Sequence, residues 1–265
     1  MHWYLVLAVI GAGIVSGFMN TLAGSGSLIT LPLLMMCGLP ANIANGTNRI
    51  AILLQNLVGV TVFSKQKIIN YKTDIWLAVP VVAGSLLGAG LAVRLNNNVI
   101  EKAIGGVMVL MFFLILLKPE VWIKGRSEKV KGVPTVLQYS ILFLVGIYGG
   151  FIQAGVGLFM LAALVLASGY DLVKANALKL LFVLLYTPFA LVIFMIDGQI
   201  NYSWGLFLSA GNMVGAYIAS KMALERGAGF IRIVLLVVIM IAALDLTGVL
   251  KWVIGMIRAQ VLFAV

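Results

Sequence analysis

The chain contains itself twice, and that duplication restricts it to folds made of two like halves. Gly17-Phe18-Met19-Asn20, followed by Ala23-Gly24-Ser25-Gly26, returns two residues shorter as Gly150-Phe151-Ile152-Gln153-Ala154-Gly155-Val156-Gly157. An offset of 131 pairs Gly38 with Gly169, Ala44-Asn45 with Ala175-Asn176, and Asn70-Tyr71 with Asn201-Tyr202. After a four-residue slip, Gly84, Gly88-Ala89 and Arg94 match Gly211, Gly215-Ala216 and Lys221. In a very apolar chain, such a repeat points to a transporter whose halves enclose one central site.

Lipid is the solvent this composition requires. Hydrophobic residues make up 63% and charged residues 10% of the chain, against about 25% charged in soluble domains. The first apolar run, 3–22, lacks a basic leading region and reads as a spanning helix rather than a signal peptide. Cys37 is the single cysteine and His2 the single histidine, so no internal disulfide, metal centre or cofactor is expected. The net charge of +10 does not indicate nucleic acid, because the cations cluster in short loops. Lys65, Lys67 and Lys72 form one group, and Lys118, Lys124, Arg126, Lys129 and Lys131 another. That is the pattern of cytoplasmic loops facing anionic lipid.

A helix needs about 20 apolar residues to cross the hydrocarbon. Runs at 3–22, 43–63, 75–93, 100–117, 136–154, 173–196, 204–222 and 230–250 meet or approach that length, four in each half. Shorter runs at 27–37 and 158–167 follow the glycine motifs and read as half-helices or re-entrant segments. The loop 64–74 holds three lysines and one aspartate, which places it in the cytoplasm, whereas its counterpart 197–201 holds no cation and belongs outside. The expected fold class is therefore an all-α polytopic membrane protein with two inverted repeats. Each would have about four spanning helices plus a short broken or re-entrant helix. Repeat 1 would cover 1–117 and a cytoplasmic linker 118–134. Repeat 2 would cover 135–250, and 251–265 would form an interfacial tail.

Gly24-Ser25-Gly26 and Gly155-Val156-Gly157 interrupt apolar helices at matching places. Lipid cannot satisfy backbone groups freed at such breaks, so they survive only inside protein or along a polar cavity. A half-helix after each break would turn its N–H groups toward that cavity, a setting for an anion. The alternative is that the glycines merely let helices approach closely; their recurrence beside Asn20 and Gln153 favours a site.

Asn45-Gly46-Thr47-Asn48-Arg49 and Asn176-Ala177-Leu178-Lys179 form the second constellation. A cation at the centre of a spanning helix costs about 2.5–3.5 kcal/mol on insertion scales, whereas one near an end can snorkel to headgroups. Snorkelling stays open for either cation alone. Inversion opposes it, because equivalent positions would then lie on opposite sides of the membrane. The expected pocket holds a small anion with the planar fork of Arg49 and the compact charge of Lys179. Asn45, Thr47, Asn48 and Asn176 would orient the anion. Gln55 and Asn56, with Tyr186, Thr187 and Pro188 in the repeat, serve either a pathway or helix contact. Gly84, Gly88, Gly211 and Gly215 read as close helix contacts. Asp74 reads as a helix cap and Asp245 as interfacial. Gly11-Ala12-Gly13 is no dinucleotide loop, since no strand precedes it.

These residues resemble the TauE/SafE family of membrane permeases from about Gly11 to Leu250. The features are Gly17-Phe18, Gly24-Ser25-Gly26, Pro32, Gly38-Leu39-Pro40 and Gly46-Thr47-Asn48-Arg49, then Ala175 to Lys179, Gly198 to Tyr202, and Gly211 to Gly215. The resemblance implies a multi-pass bacterial inner-membrane transporter of small sulfur-containing anions such as sulfite, sulfoacetate or other sulfonates. Two departures bear on substrate: the second glycine motif is abbreviated, and Tyr186-Thr187-Pro188 stands where an asparagine-bearing stretch is expected. The partners expected are that anion and the lipid bilayer, with homo-oligomers left open. An anion channel is the rival reading. A membrane enzyme is a weaker one, because paired carboxylates or histidines at membrane depth are missing from the sequence.

Overall fold

The computed structural model describes residues 3–106 and 135–246. In the first half, α1 (Trp3–Ala23), α2 (Ser27–Met36), α3 (Ala41–Lys65) and α4 (Tyr71–Arg94) precede α5, residues 97–106. The second half holds α6 (Val136–Phe151), α7 (Val156–Ala162) with a π-helical turn over Ala163–Ala167, and α8 (Leu172–Ile196). Last comes α9 (Tyr202–Leu246), which breaks at Gly227 with φ 68°. Among the described residues there is no strand, so the all-helical expectation holds.

The chain turns at the same places in both halves. Gly24 (φ 75°) and Gly155 (φ 70°), Gly38 (φ 90°) and Gly169 (φ 71°), and Lys67 (φ 56°) and Gly198 (φ 67°) are the left-handed pairs. Each pair is separated by 131 positions. Glycine has no Cβ to clash in this region, which is why the helix ends concentrate there.

Packing repeats the same exchange. The first helix of each half lies on the last long helix of the other: α1 on α9 and α6 on α4. Close-approach glycines seat both pairs. A Cβ at Gly17 would come within 2.3 Å of the Asn212 carbonyl, and one at the equivalent Gly150 within 2.0 Å of the Ser85 carbonyl. From the opposite helix, a Cβ at Gly215 would lie 2.0 Å from the Ile14 carbonyl, and one at Gly88 1.9 Å from the Ile147 carbonyl. At the centre α3 packs on α8.

The molecule is apolar outside and partly polar inside. Leu86, Leu87 and Leu91 on α4, Val192 on α8 and Leu206 on α9 are exposed, while Asn45, Asn48, Arg49, Gln55, Asn56, Asn176 and Lys179 are buried. Water would select the reverse distribution. Trp3–Ala23, Asp74–Arg94 and Leu172–Ile196 are long and apolar enough to cross a membrane. The 25-residue α3 is as long as α8 but diluted by its amides and Arg49.

Several boundaries differ from the sequence expectation. The run 136–154 stops being helical at Phe151, before Gln153. Ala41–Lys65 extends the run 43–63 at both ends. The loop 64–74 contracts to 66–70, because Asp74 lies inside the first turn of α4 and accepts the Asn70 N–H at 2.9 Å. Its carboxylate also meets Lys174 at 3.6 Å and Tyr170 at 3.4 Å, tying α4 to the start of α8. Through Pro188, α8 continues as one helix. The run 100–117 beyond residue 106, the linker 118–134, the tail 251–265 and the side chain of Asp245 lie outside the described residues.

Candidate functional site

Both interior cations sit about 10–12 Å beyond the starts of their helices, at 1.5 Å per residue. Arg49 is 0% and Lys179 1% exposed, so neither reaches headgroups. Each is bonded to the carbonyl end of the first helix of the opposite half. Arg49 donates through Nη1 to Gly149 O at 3.2 Å and through Nη2 to Gly150 O at 2.6 Å and Phe151 O at 3.4 Å. Lys179 Nζ donates to Asn20 O at 3.1 Å and Thr21 O at 2.7 Å, and to Asn176 Oδ1 at 2.7 Å. A helix C-terminus carries partial negative charge and unpaired carbonyls, so a cation satisfies both. Arg49 also stacks 4.4 Å from the centre of the Phe194 ring.

The asparagines divide between the two centres. Asn45 Nδ2 joins Arg49 on the Phe151 carbonyl at 2.9 Å. Its repeat equivalent, Asn176, spends Oδ1 on Lys179 and leaves Nδ2 buried without a partner. Asn48 instead clamps α2, donating to Ser27 Oγ at 3.1 Å and accepting from Thr30 Oγ1 at 2.8 Å. Thr47 Oγ1 accepts the Asn201 N–H at 2.9 Å at the entry to α9.

A narrow cavity, with room for about one water, lies between the halves. Asn20, Gln153, Gly157 and Lys179 line it, together with Ile52, Asn56, Val156 and Val183. Arg49 is not among the lining residues. Gly24 and Gly157 touch backbone to backbone: a Cβ on Gly24 would fall 2.3 Å from the Gly157 Cα. Gly26 packs on the Ser16 carbonyl of α1, and Ser25 is buried with an unpaired hydroxyl. Gly155 supplies the left-handed turn into α7.

Around the cavity, equivalent side chains of the two halves make matching bonds, each within its own half. Asn20 Nδ2 donates to Gln55 Oε1 at 3.3 Å, and Gln153 Nε2 donates to Tyr186 Oη at 3.3 Å. Asn56 Nδ2 bonds the Ile52 carbonyl at 2.6 Å, and Thr187 Oγ1 the Val183 carbonyl at 2.6 Å. Gln55 further accepts from Asn212 Nδ2 at 3.1 Å. Sequence reading left Gln55, Asn56, Tyr186 and Thr187 outside the site. Their matching positions, 131 residues apart and deep in two long helices, were the signal for them.

This interior leaves polar atoms of both kinds unpaired: the donors Arg49 Nε, Gln55 Nε2 and Asn176 Nδ2, and the acceptors Asn45 Oδ1, Gln153 Oε1 and Asn212 Oδ1. Among the described residues no carboxylate forms an ion pair with Arg49 or Lys179, and no group of residues could hold a metal ion. Two buried positive charges without a carboxylate partner among the described residues make a region that favours an anion.

Comparison with known proteins gives the family of the chain. A family model described as Sulfite exporter TauE/SafE matches residues 9–246. "Probable membrane transporter protein ORF9" of Sinorhizobium sp. is 25% identical, with 93% of this chain and 94% of that protein covered. A "Probable membrane transporter protein" of Haemophilus influenzae is 29% identical over 83% of this chain and 86% of its own length. "Probable membrane transporter protein YfcA" of Escherichia coli K12 is 27% identical, covering 84% and 82% respectively. No solved structure matches.

Proposed function

From the membership of this chain in the Sulfite exporter TauE/SafE family of membrane transporters, we propose that it is a secondary transporter of small sulfur-containing anions. Sulfite, sulfoacetate or other sulfonates would cross the bacterial inner membrane by alternating access between two inverted repeats. The names of the relatives, all membrane transporters, fit a non-enzymatic role. The observation that carries the anion reading is the pair of buried cations with no carboxylate beside them among the described residues, one of which, Lys179, lines the cavity between the halves.

The anion would occupy the cavity by displacing part of the existing hydrogen bonding. Lys179, Asn20, Gln153 and Asn56, which line the cavity, would contact it. Arg49, Asn45 and Asn176 would join as the halves move, and Ser25 with the N–H groups following Gly24 and Gly155 would bind its oxygens. Thr47 and Asn48 would hold the surrounding helices. Uptake of radiolabelled sulfite and sulfoacetate by proteoliposomes tests this reading. Saturation and counterflow are expected of a carrier; flux without either would indicate a channel, and no flux would remove the proposal. Thermal-shift measurements against the same anions and carboxylate controls should rank ligands, since binding raises apparent stability by mass action.

Inversion makes its own prediction. Lys65 and Lys67 flank the turn between α3 and α4, while the equivalent turn after Ile196 carries no cation. In a background with Cys37 replaced by serine, Ile196→Cys is expected to react with an impermeant thiol reagent in intact cells. Ile196 is 82% exposed, so access is not limited by packing. Gln66→Cys should react only after lysis. Labelling of both from the same side would exclude inverted repeats.

A further inference from the structure

Lys179 Nζ stands in a cage of neutral oxygens. Asn20 O lies at 3.1 Å, Thr21 O at 2.7 Å and Asn176 Oδ1 at 2.7 Å. The two carbonyls belong to the last turn of α1, and the chain leaves the helical path directly afterwards at Gly24, φ 75°. Three acceptors meet the three protons of an ammonium, so the cage is filled. Carbonyl and amide oxygens at the C-terminal end of a broken helix are the ligand set with which transporters hold a coupling cation. The side chain therefore stands where a free alkali ion would be expected.

Arg49 fills the carbonyl end of α6 in the same way, at Gly149, Gly150 and Phe151. A guanidinium keeps its charge in proteins, whereas an ammonium can give up a proton. Of the two cations, Lys179 alone lines the cavity. One half thus carries a fixed charge and the other a titratable one at the place where an anion would enter.

We propose that Lys179 is a tethered coupling cation, whose proton travels with the transported anion. The inference rests on the transporter reading given above. The proton leaves Nζ for water in the cavity, the lone pair stays on the amine, and reprotonation restores the ammonium. The ammonium and a monoanion move as a neutral pair, and the empty carrier returns as the amine. Other titratable or charged groups on the helices packed around α8 are committed elsewhere. Arg49 is on the α6 carbonyls, Tyr186 is bonded by Gln153, and Tyr148 donates to Ala154 O. Lys174 pairs with Asp74, and Lys221 lies over Tyr217. Tyr4, Lys65, Tyr71, Arg94, Tyr139 and Tyr202 belong to the end turns of their helices, and Glu225 and Arg226 adjoin the break at Gly227.

The test uses the full chain in liposomes, with the potential clamped by valinomycin and potassium and with sodium absent. Radiolabelled isethionate, a permanent monoanion, is the transport probe. At one proton per anion, each pH unit of gradient should support about tenfold accumulation on the alkaline side. Lys179→Arg keeps the charge but cannot release it, and should lose that gradient-driven accumulation. Lys179→Ala empties the cage, and sodium or potassium chloride should then raise its melting temperature where choline chloride does not, an effect absent from the natural protein. Uptake indifferent to the gradient, gradient drive retained by Lys179→Arg, or a folded Lys179→Ala blind to alkali cations would each overturn the proposal. Should Lys179→Ala not fold, Lys179→Arg decides. Should no isethionate enter at all, the transport reading fails for this anion, while the alkali-ion response of Lys179→Ala still decides the cage.

Discussion

Arg49→Ala is expected to cost the protein stability as well as anion binding. Read from sequence, this change removes a ligand and leaves the fold alone. The structure changes that expectation, because the guanidinium holds the carbonyls of Gly149 and Gly150 at the end of α6. Asn45 remains on Phe151 O, so two carbonyls lose their donor outright. A buried polar group left unpaired costs about 1–3 kcal/mol, and the contact with Phe194 disappears as well. Removing a desolvated charge offsets part of that loss. A net destabilisation of about 3 kcal/mol is the expected outcome, seen as a lowered melting temperature of purified protein without any ligand. Arg49→Lys should recover part of it, since an ammonium replaces one arm of the fork but not both. A variant as stable as the natural protein, and still binding sulfoacetate, would deny Arg49 both roles.

The repeat made the architecture legible. Residues matched at an offset of 131 supply three left-handed turns in each half, and the small-residue pairs Gly84/Gly88 and Gly211/Gly215 mark where helices touch. The interior cations were equally visible, because Arg49 and Lys179 are conspicuous in apolar runs. What they bond to was not. A carbonyl has no sequence signature, and the acceptors at Gly149, Gly150, Asn20 and Thr21 lie about 100 and 159 residues from their cations. Sequence also treats all nearby amides alike. Only the packing separates Asn48, turned to α2, from Asn20 and Asn56 on the cavity. Helix ends escaped for a simpler reason: Asp74 caps from inside the first turn, so the apolar run begins after the helix does.

Gly24→Ala should be among the most damaging single-methyl changes in the chain. Two costs coincide there. At φ 75° an L-residue is disfavoured by about 1–2 kcal/mol. Its Cβ would also lie 2.3 Å from Gly157 Cα and 2.4 Å from Gly157 C, backbone atoms that no rotamer change can clear. Overpacking of that kind adds about 1–3 kcal/mol. Two companions separate the terms. Gly38→Ala has φ 90° with nothing within 4 Å, so it bears conformational strain alone. Gly157→Ala lies within α7 and bears the contact alone, 2.4 Å from Gly24 Cα. Melting temperatures should therefore fall in both single-cause variants and furthest in Gly24→Ala, whose loss should approach the sum of the other two. Because Gly157 lines the cavity, both changes at this contact should weaken anion binding, whereas Gly38→Ala should bind normally. Equal stability of Gly24→Ala and Gly38→Ala would mean that the two broken segments do not press together, and the cavity between them would lose its floor.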